Sequence, residues 1–274
     1  MMSSIYDKFS LKEKVAIVTG GPGLLGAEFC RTLAEAGAGV VIVDLDGAAA
    51  ESLAENLRKD GYQAIAAGVD VTQPAQVRSM VAKTLHEFGR VDILVNSAAI
   101  DPKFDVSHAS IDNGAFETYP VEMWRKAIDV NLTGAFLCTQ AVVEPMLKSE
   151  SGSIINLCSM YGLVGPDQRL YEKEDSPMRY KPVFYPVTKA GILGLTRYVA
   201  TYYAGKGIRV NALTPGGIYN ENDDSFVKNY SARAVMGRMA RKDEMNGALL
   251  FLASDASSYM TGANLVIDGG WTAW

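Results

Sequence analysis

The sequence predicts a doubly wound α/β fold, in which helices cover both faces of one parallel sheet. Three observations predict it: short apolar runs alternate with longer segments of helical periodicity, β-branched residues fill the runs, and a glycine-rich turn directly follows the first run. Runs that are apolar at nearly every position are typical of strands buried on both faces. Right-handed crossovers between such strands place the connecting helices on both sides of the sheet.

The first half of the chain supplies four predicted strands and three predicted helices. The strand segments are KVAIVT (14–19), GVVIVD (39–44), QAIAAGVD (63–70) and VDILVN (91–96). The helical segments are LLGAEFCRTLAEAG (24–37), AAAESLAENLRKDG (48–61) and PAQVRSMVAKTLHEFG (74–89). Each helical segment stops at a glycine, which is the usual residue at the C-terminal end of a helix.

The second half continues the alternation and brings the predicted sheet to about seven strands in a single domain over 1–274. Its predicted elements are a long helix near 121–149, a strand at 153–158, a helix at about 184–205, a strand at 207–213, a helix near 242–253 and a last strand at 264–268. Two stretches, 100–120 and 160–183, do not fit the alternation. Long loops in a compact domain are usually functional, so we expect both to be insertions near a site.

Composition excludes several classes of function. The 26 basic and 31 acidic residues give a net charge of −5, an ordinary solubilising excess with no basic face for nucleic acid. No apolar run is long enough to span a membrane, and we expect a cytoplasmic protein. The three cysteines are widely spaced in apolar contexts, which indicates buried thiols. Only two histidines are present, which excludes a multi-histidine metal site, and no bound metal is expected.

The segment TGGPGLLG (19–26) lies between the first predicted strand and the first helix. Glycines there let the backbone approach a pyrophosphate, and the helix N-terminus supplies N–H donors. Asp44 ends the second strand, where a carboxylate can accept hydrogen bonds from an adenosine ribose. The competing interpretations are a tight turn without a ligand and a surface aspartate. Turn and acid together favour a bound dinucleotide in a Rossmann-type fold.

The segment YPVTK (185–189) places a tyrosine four residues before a lysine. On a helix these two side chains share one face. Pro186 is tolerated in a first helical turn, so we expect the helix to begin just before or at Tyr185. A chance pair on an exposed face is the alternative, because the pattern is short and common.

Taken in order, these segments resemble the short-chain dehydrogenase/reductase family over nearly the whole chain. The matching pieces are TGGPGLLG (19–26), the DV step at 70–71, NSAA (96–99), VNLTGAF (130–136), INLCS (155–159), YPVTK (185–189), IRVNALTPGG (208–217) and YMTGANLVIDGG (259–270). A set of ordered motifs is far more specific than any one of them. The resemblance therefore argues against a chance origin of YPVTK.

The resemblance implies a catalytic tetrad and a set of cofactor contacts. The tetrad falls on Asn131, Ser159, Tyr185 and Lys189. The implied cofactor contacts, besides Tyr185 and Lys189, are Gly20, Gly23, Leu25, Gly26, Asp44, Leu45, Asp70, Val71, Asn96, Ala98, Pro215, Gly217 and Ile218. A homotetramer is also implied, with the helices at 121–149 and 184–205 as one pairing surface and the C-terminal segment as another. The apolar end WTAW (271–274) fits burial by a neighbouring subunit.

The sequence departs from the family pattern at three places. Leu24 stands where single-domain members usually have a glycine, so the turn fits TGxxGxxG, a spacing that resembles the nucleotide-sugar branch. Ser159 and Tyr185 are 26 positions apart, about twice the implied separation, which indicates an insertion between them. Asn220 stands where many relatives have a threonine that contacts the nicotinamide amide, and asparagine can still donate and accept there.

These residue types suit hydride transfer, which requires a proton to move at the substrate oxygen. Bringing a tyrosine pKa from about 10 to near 7 takes roughly 4 kcal/mol, and an ammonium about 4 Å away supplies roughly that. We therefore expect Lys189 to lower the pKa of Tyr185. The resemblance implies that Lys189 also binds the nicotinamide ribose, that Ser159 holds the substrate oxygen, and that Asn131 bends its helix and holds a water. A capping hydroxyl and a backbone-bonded amide are the competing interpretations of Ser159 and Asn131.

The leading hypothesis is an oxidoreductase that transfers hydride between NAD and a small polar secondary alcohol or ketone. NAD is favoured over NADP because Asp44 would repel a 2′-phosphate and no basic residue directly follows it. The charged and aromatic insertion, with the glycine spacing, resembles members associated with bacterial surface-sugar biosynthesis and suggests a sugar or sugar derivative. The alternatives are an NAD-using epimerase or dehydratase and a non-catalytic dinucleotide-sensing protein.

Overall fold

The computed structural model describes residues 4–101, 114–172 and 178–274. Its strands are β1 (Val15–Thr19), β2 (Gly39–Asp44), β3 (Ala64–Gly68), β4 (Ile93–Asn96), β5 (Gly152–Leu157), β6 (Ile208–Pro215) and β7 (Asn264–Ile267). Its α-helices are α1 (Leu24–Glu35), α2 (Gly47–Lys59), α3 (Pro74–Phe88), α4 (Val121–Ile128), α5 (Gly134–Lys148), α6 (Phe184–Tyr202), α7 (Asp224–Ser231) and α8 (Asn246–Ala253). The predicted doubly wound fold is confirmed.

The seven strands form one parallel sheet in the order β3-β2-β1-β4-β5-β6-β7. Because β1 is followed in the sheet by β4, the chain reverses its winding direction between these two strands. Such a reversal leaves a crevice at the carboxyl ends of the strands, which is where ligands bind in open α/β sheets. The fold therefore places its candidate site at that edge.

Two hydrophobic cores lie on opposite faces of the sheet because successive strand residues point in opposite directions. Ala16 and Val18 of β1 belong to the core under α1, α2 and α8. Val15 and Ile17 of the same strand belong to the core under α3, α5 and α6. All five β1 side chains are buried, as a strand covered on both faces requires.

The glycines that were predicted to end the first three helices do so. Gly37, Gly61 and Gly89 have φ values of 103°, 89° and 76°, and each directly follows the last helical turn or caps it. These values lie in the left-handed region that favours glycine. Sequence reasoning therefore placed the ends of α1, α2 and α3 correctly.

The predicted long helix near 121–149 is three segments rather than one. A π-helical turn, Asp129–Thr133, separates α4 from α5. π-Helical turns are commonly found at functional sites. Helix α7 was not predicted from the sequence, because Tyr230 is the one residue of this helix that is fully buried, which leaves little apolar periodicity.

The three cysteines are buried free thiols, as predicted. Burial raises the pKa of Cys138 to about 12 and raises those of Cys30 and Cys158 as well. The C-terminal prediction is wrong for Trp271, which is buried in its own chain and stacks on Tyr230 with ring centroids 4.4 Å apart. Trp274 is 80% exposed. Over the residues that the structure describes, no helix has the length and apolar character needed to cross a membrane.

Candidate active site

The glycine turn forms a backbone cradle beside the crevice. Gly20 has φ 66°, and a Cβ there would lie 2.8 Å from the Cα of Ala98. A Cβ on Gly26 would fall on the carbonyl oxygen of Gly20. Gly23 is the N-cap of α1 and has no side chain to cap the first helical turn. An N-terminus with uncapped N–H groups in a glycine cradle fits a pyrophosphate.

The altered glycine spacing has a simple structural outcome. Leu24 occupies the position where the single-domain pattern has glycine, and it is the first residue of α1 with 39% of its side chain exposed. Leu25 follows it and packs partly against the core under α1. The turn therefore accommodates a leucine at this position without displacing the helix from the sheet.

The acidic residues of the predicted cofactor site lie at neighbouring strand ends. Asp44 is the last residue of β2 and is half-buried, and its Oδ1 accepts a hydrogen bond from the Asp46 backbone N–H at 2.9 Å. Leu45 beside it is 76% exposed. The Asp70 carboxylate accepts from the backbone N–H and the hydroxyl of Thr72, which lowers the pKa of Asp70. Hydrogen bonds to its charged form are the cause.

Three further predicted cofactor residues, Asn96, Ala98 and Val71, lie after strands β3 and β4 or at their ends. The side chain of Asn96 points into the core, where its Nδ2 donates to Asn156 Oδ1 at 2.8 Å and Thr139 Oγ1 at 3.1 Å. Only its backbone can therefore face the crevice. The N–H of Ala98 donates to Thr19 Oγ1 at 3.2 Å, which holds the loop after β4 against β1. Val71 is buried beneath the crevice.

The segment after β6 lies beside the carboxyl end of β7. Pro215 is the last residue of β6, and the next N–H, of Gly216, donates to the carbonyl oxygen of Ile267 at 2.9 Å. The Gly217 N–H donates to the Tyr230 hydroxyl, and Ile218 forms a bridge with Ala240. The Asn220 N–H donates to Asn222 Oδ1 at 3.0 Å. This segment is therefore held through its backbone, by both backbone and side-chain partners, at the same edge as the glycine turn.

Tyr185 and Lys189 lie on one face of α6, as predicted. The helix begins at Phe184, one residue before Tyr185, which confirms the interpretation of Pro186. The Lys189 Nζ lies 5.8 Å from the Tyr185 ring centroid and donates to the carbonyl oxygen of Leu157, the last residue of β5, at 2.8 Å. Lys189 is 5% exposed, so it is not a solvated surface lysine.

Ser159 lies two residues beyond the end of β5 and faces Tyr185. Its hydroxyl accepts from the Tyr161 N–H at 3.2 Å and shares a side-chain hydrogen bond with Tyr185. Both interpretations of Ser159, as a cap and as a site hydroxyl, are thus compatible with its contacts. Close packing here depends on Gly162, where a Cβ would lie 2.8 Å from the carbonyl oxygen of Lys189.

Asn131 lies in the π-helical turn and is 3% exposed. Its Oδ1 accepts from the Ile100 N–H at 2.7 Å, and its Nδ2 donates to the Ile100 carbonyl oxygen at 3.1 Å and to Thr188 Oγ1 at 3.3 Å. The Thr188 hydroxyl donates to the carbonyl oxygen of Tyr185. A π-helical turn therefore interrupts the regular helix at Asn131, and the amide joins the loop after β4 to α6 by direct bonds.

The expected pKa shift of Tyr185 is wrong in direction. Burial is the largest cause and raises the pKa of the phenol, the charge of Asp101 raises it further, and the hydrogen bond with Ser159 lowers it. Burial likewise lowers the pKa of Lys189. The cost of removing both groups from water therefore outweighs the attraction of the ammonium for the phenolate.

The insertion between Ser159 and Tyr185 contributes a buried aromatic wall. Leu170 and Tyr171 are 4% and 8% exposed and belong to a cluster with Tyr161, Tyr230 and Trp271, against which Tyr185 packs. The Tyr171 hydroxyl donates to that of Tyr161 at 3.2 Å. Among the charged residues that mark this insertion in the sequence, Lys173, Glu174 and Asp175 lie outside the described residues, as does part of the stretch 100–120.

Two residues near Tyr185 were missed as site residues. Lys181 is 9% exposed, and its Nζ lies 4.1 Å from the Tyr185 ring centroid. Asp101 forms an ion pair with Lys181. Lys181 is four residues before Tyr185 but precedes the helix, so helical spacing could not have placed it over the ring.

The chain is similar to known proteins over most of its length. Residues 24–272 match a family model described as enoyl-(acyl carrier protein) reductase. The chain is 37% identical to cis-4-hydroxycyclohexanecarboxylate dehydrogenase from Sinomonas cyclohexanicum, covering 95% of this chain and 97% of that protein.

Two solved structures resemble the chain at full length. A short-chain type dehydrogenase/reductase from Mycobacterium marinum has a TM-score of 0.85 and 34% identity, covering 99% of this chain and 100% of that one. A gluconate 5-dehydrogenase from Burkholderia cenocepacia, in complex with NADP and tartrate, has a TM-score of 0.86 and 32% identity, with the same coverage. These similarities extend over the strand ends and over the helix that carries Tyr185 and Lys189.

Proposed function

The chain belongs to the short-chain dehydrogenase/reductase family and is an oxidoreductase of that type, and we propose that it transfers hydride between NAD and a small polar secondary alcohol or ketone. The observation that carries the proposal is the meeting of Tyr185, Lys189 and Ser159 at the carboxyl end of β5, beside the glycine cradle. A sensing protein would need the cradle but has no use for a phenol that shares a hydrogen bond with Ser159 and lies close to the Lys189 ammonium. This favours the enzyme over the dinucleotide sensor.

Each residue of the tetrad has a defined task in this proposal. When bound, NAD accepts or supplies the hydride at carbon. Tyr185 takes the proton from the alcohol oxygen or returns it, and Ser159 holds that oxygen by hydrogen bonding. Lys189 provides positive charge near the phenol and is fixed by Leu157. Asn131 holds the loop after β4 against α6, which keeps the tyrosine and its surroundings in register.

The fold and glycine cradle imply use of NAD or NADP, and we favour NAD. The Asp44 carboxylate lies where the adenosine ribose is expected, and Asp46 adds a second acid two residues later. A 2′-phosphate about 4 Å from one carboxylate meets a repulsion of roughly 4 kcal/mol per unit charge at an effective dielectric of 20, less where water screens it. Because the similar gluconate 5-dehydrogenase binds NADP, the preference for NAD has to be tested with both cofactors.

The substrate class that we favour is a small hydroxy compound, and a sugar or sugar derivative such as a sugar acid is the first candidate. Two similar proteins support this class, since one is named for a cyclic hydroxy acid, cis-4-hydroxycyclohexanecarboxylate, and the other for a sugar acid, gluconate. The wall of Tyr161, Tyr171 and Trp271 would pack against a ring or carbon chain. Arg233 pairs with Asp167 and lies 5.1 Å from the Trp271 ring, close to that wall. A role in bacterial surface-sugar biosynthesis rests on the glycine spacing and the insertion alone.

We also propose the homotetramer. Large apolar side chains are exposed along α4, α5 and α6, because no other part of the chain that the structure describes covers them. They are Met123, Phe136, Val187, Tyr198 and Tyr202, with exposures of 44%, 44%, 44%, 64% and 66%. Several large exposed apolar side chains on neighbouring elements are typical of a subunit interface.

The test is a screen of hydroxy acids, polyols and sugar derivatives with NAD and, in parallel, NADP, followed by absorbance of the reduced cofactor. We expect turnover with NAD and weak turnover with NADP. An Asp44→Ala variant should reduce the ratio of kcat/KM with NAD to kcat/KM with NADP by about tenfold or more, because it removes the charge that repels the 2′-phosphate. Equal kcat/KM values with both cofactors would refute the NAD assignment. Interconversion of a sugar epimer without net NADH would instead favour the epimerase alternative.

A further inference from the structure

An ion pair outside the tetrad lies against the predicted proton-transfer residue. Lys181 and Asp101 come from the two stretches that the sequence marked as insertions, 80 residues apart. The Lys181 Nζ contacts Asp101 Oδ1 and lies 4.1 Å from the Tyr185 ring centroid. The ammonium of Lys189 is farther from that centroid, at 5.8 Å. Lys181 is thus the nearer of these two cations to the phenol ring.

The position of Lys181 is fixed from several directions. Its backbone N–H donates to Gln168 Oε1 at 2.8 Å, and its carbonyl oxygen accepts from Gln168 Nε2 at 3.3 Å. The next carbonyl oxygen, of Pro182, accepts the Tyr185 N–H at 3.1 Å. With 9% of the side chain exposed, Lys181 has lost most of the freedom of a surface lysine. These contacts restrict the ammonium to its position 4.1 Å from the ring centroid of Tyr185.

Asp101 is fixed through the residue before it. Ile100 is bonded at both its N–H and its carbonyl oxygen by the amide of Asn131. Asp101 itself is 48% exposed, so water still reaches the carboxylate. The pair therefore joins the loop after β4 to the loop before α6, directly over the face of Tyr185.

We propose that the Lys181–Asp101 pair is a positioning device that holds an ammonium against the face of Tyr185 and thereby sets the pH range in which this tyrosine can exchange a proton. A cation over an aromatic face is attracted to the ring, and it favours a phenolate more than a neutral phenol. Asp101 keeps the cation in place and opposes its effect. Lys181 is thus a positioning residue, not a member of the tetrad.

The sign of each contribution follows from its charge. Removing the ammonium disfavours the phenolate, so the pKa of Tyr185 rises. Removing the Asp101 charge has the opposite effect, in agreement with the direction in which that carboxylate shifts the pKa. The titratable and charged groups of the described residues that face Tyr185 are Asp101, Cys158, Tyr161, Tyr171, Lys181 and Lys189. The pKa of Lys189 responds with the same signs, since Lys181 lowers it and Asp101 raises it.

This inference rests on the proposed function, and the experiment separates the two. The pH profile of kcat/KM for alcohol oxidation is measured for wild type, Lys181→Met, Lys181→Arg, Asp101→Asn and the double variant Lys181→Met/Asp101→Asn. The exposed pair Lys148 and Glu144 supplies a matched control, as Lys148→Met and Glu144→Gln. Tyr185→Phe is included as the test of the underlying function.

We expect the profile of Lys181→Met to move to higher pH by about one unit and that of Asp101→Asn to move to lower pH. The Lys181→Arg variant and the double variant should stay near wild type, and the control variants should not shift. Shifts of the same sign for both single variants, or no shift in either, would overturn the proposal. A higher KM for Lys181→Met with an unmoved profile would make Lys181 a substrate contact and would also overturn it. Failure of the proposed function is a different result: no turnover by wild type, or full activity of Tyr185→Phe.

Discussion

Lys189 is a buried amine whose ammonium donates to a backbone carbonyl oxygen at the end of β5. Burial lowers its pKa and raises that of Tyr185, so the fold disfavours the charged forms of both groups. A neutral phenol is the form that protonates a ketone oxygen, and a phenolate is the form that accepts a proton from an alcohol. At this site the direction of proton transfer is therefore sensitive to each nearby charge.

Tyr185→Phe should abolish turnover and leave NAD binding within about twofold of wild type. Only the hydroxyl is removed, and in our proposal the cofactor is held by the glycine cradle and Lys189. The measurements are kcat and the dissociation constant for NADH by fluorescence titration. Tyr6→Phe, at an 82% exposed position outside the proposed site and interface, is the matched control and should keep wild-type activity. Near-normal turnover by Tyr185→Phe would remove this tyrosine from the proposed mechanism.

At the scale of elements, the insertion before α6 supplies packing as well as charge. Tyr171 packs on Phe226 with ring centroids 5.6 Å apart, and Phe226 belongs to α7. Tyr230 of the same helix stacks on Trp271. The insertion, α7 and the C-terminal segment therefore form one aromatic cluster beside Tyr185.

Tyr171→Ala should raise KM for the substrate at least tenfold and change NADH affinity little, because the cavity opens in the wall and not in the cradle. Removing a buried aromatic side chain also costs about 3–5 kcal/mol of the free energy of unfolding, so Tm should fall by several degrees. Tyr171→Phe, which removes the hydroxyl that bonds to Tyr161 and keeps the ring, separates packing from hydrogen bonding. Tyr6→Ala, at an 82% exposed position outside the proposed site and interface, is the control. An unchanged KM for Tyr171→Ala would assign the insertion to another task, such as subunit contact.

The elements that sequence reasoning placed best are those with a strong local signal. The range predicted for β2 agrees with the structure at both ends, and the other strands agree to within about two residues, because apolar runs end where the sheet ends. The start of α6 followed from Pro186. Helix α7 was not predicted because it buries little apolar surface, and the Lys181–Asp101 pair was not predicted because it joins residues far apart in sequence. The predicted direction of the Tyr185 pKa shift was wrong because it depends on burial, which is set by the whole fold and not by the local sequence.

At the scale of the whole molecule, the exposed apolar face of α4, α5 and α6 predicts self-association. Phe136→Asp/Tyr202→Asp should shift the protein from a tetramer toward a smaller species in light scattering, because each change places a charge in the proposed interface. Tyr6→Asp, at an 82% exposed position near the N-terminus, should not. A wild-type protein that is monomeric and fully active at low concentration would contradict the tetramer.

The order of the strands has a consequence for synthesis on the ribosome. The first four strands, with the whole glycine cradle and Asp44, lie within residues 15–96 and are neighbours in the sheet. They can pair as soon as β4 leaves the exit tunnel, before the helix that carries Tyr185 has been translated, because chains fold from the N-terminus as they emerge. We expect stalled nascent chains that expose residues 1–101 to protect β1, β2 and β3 from protease. Protection that begins only after β6 has emerged would show that the two halves fold together.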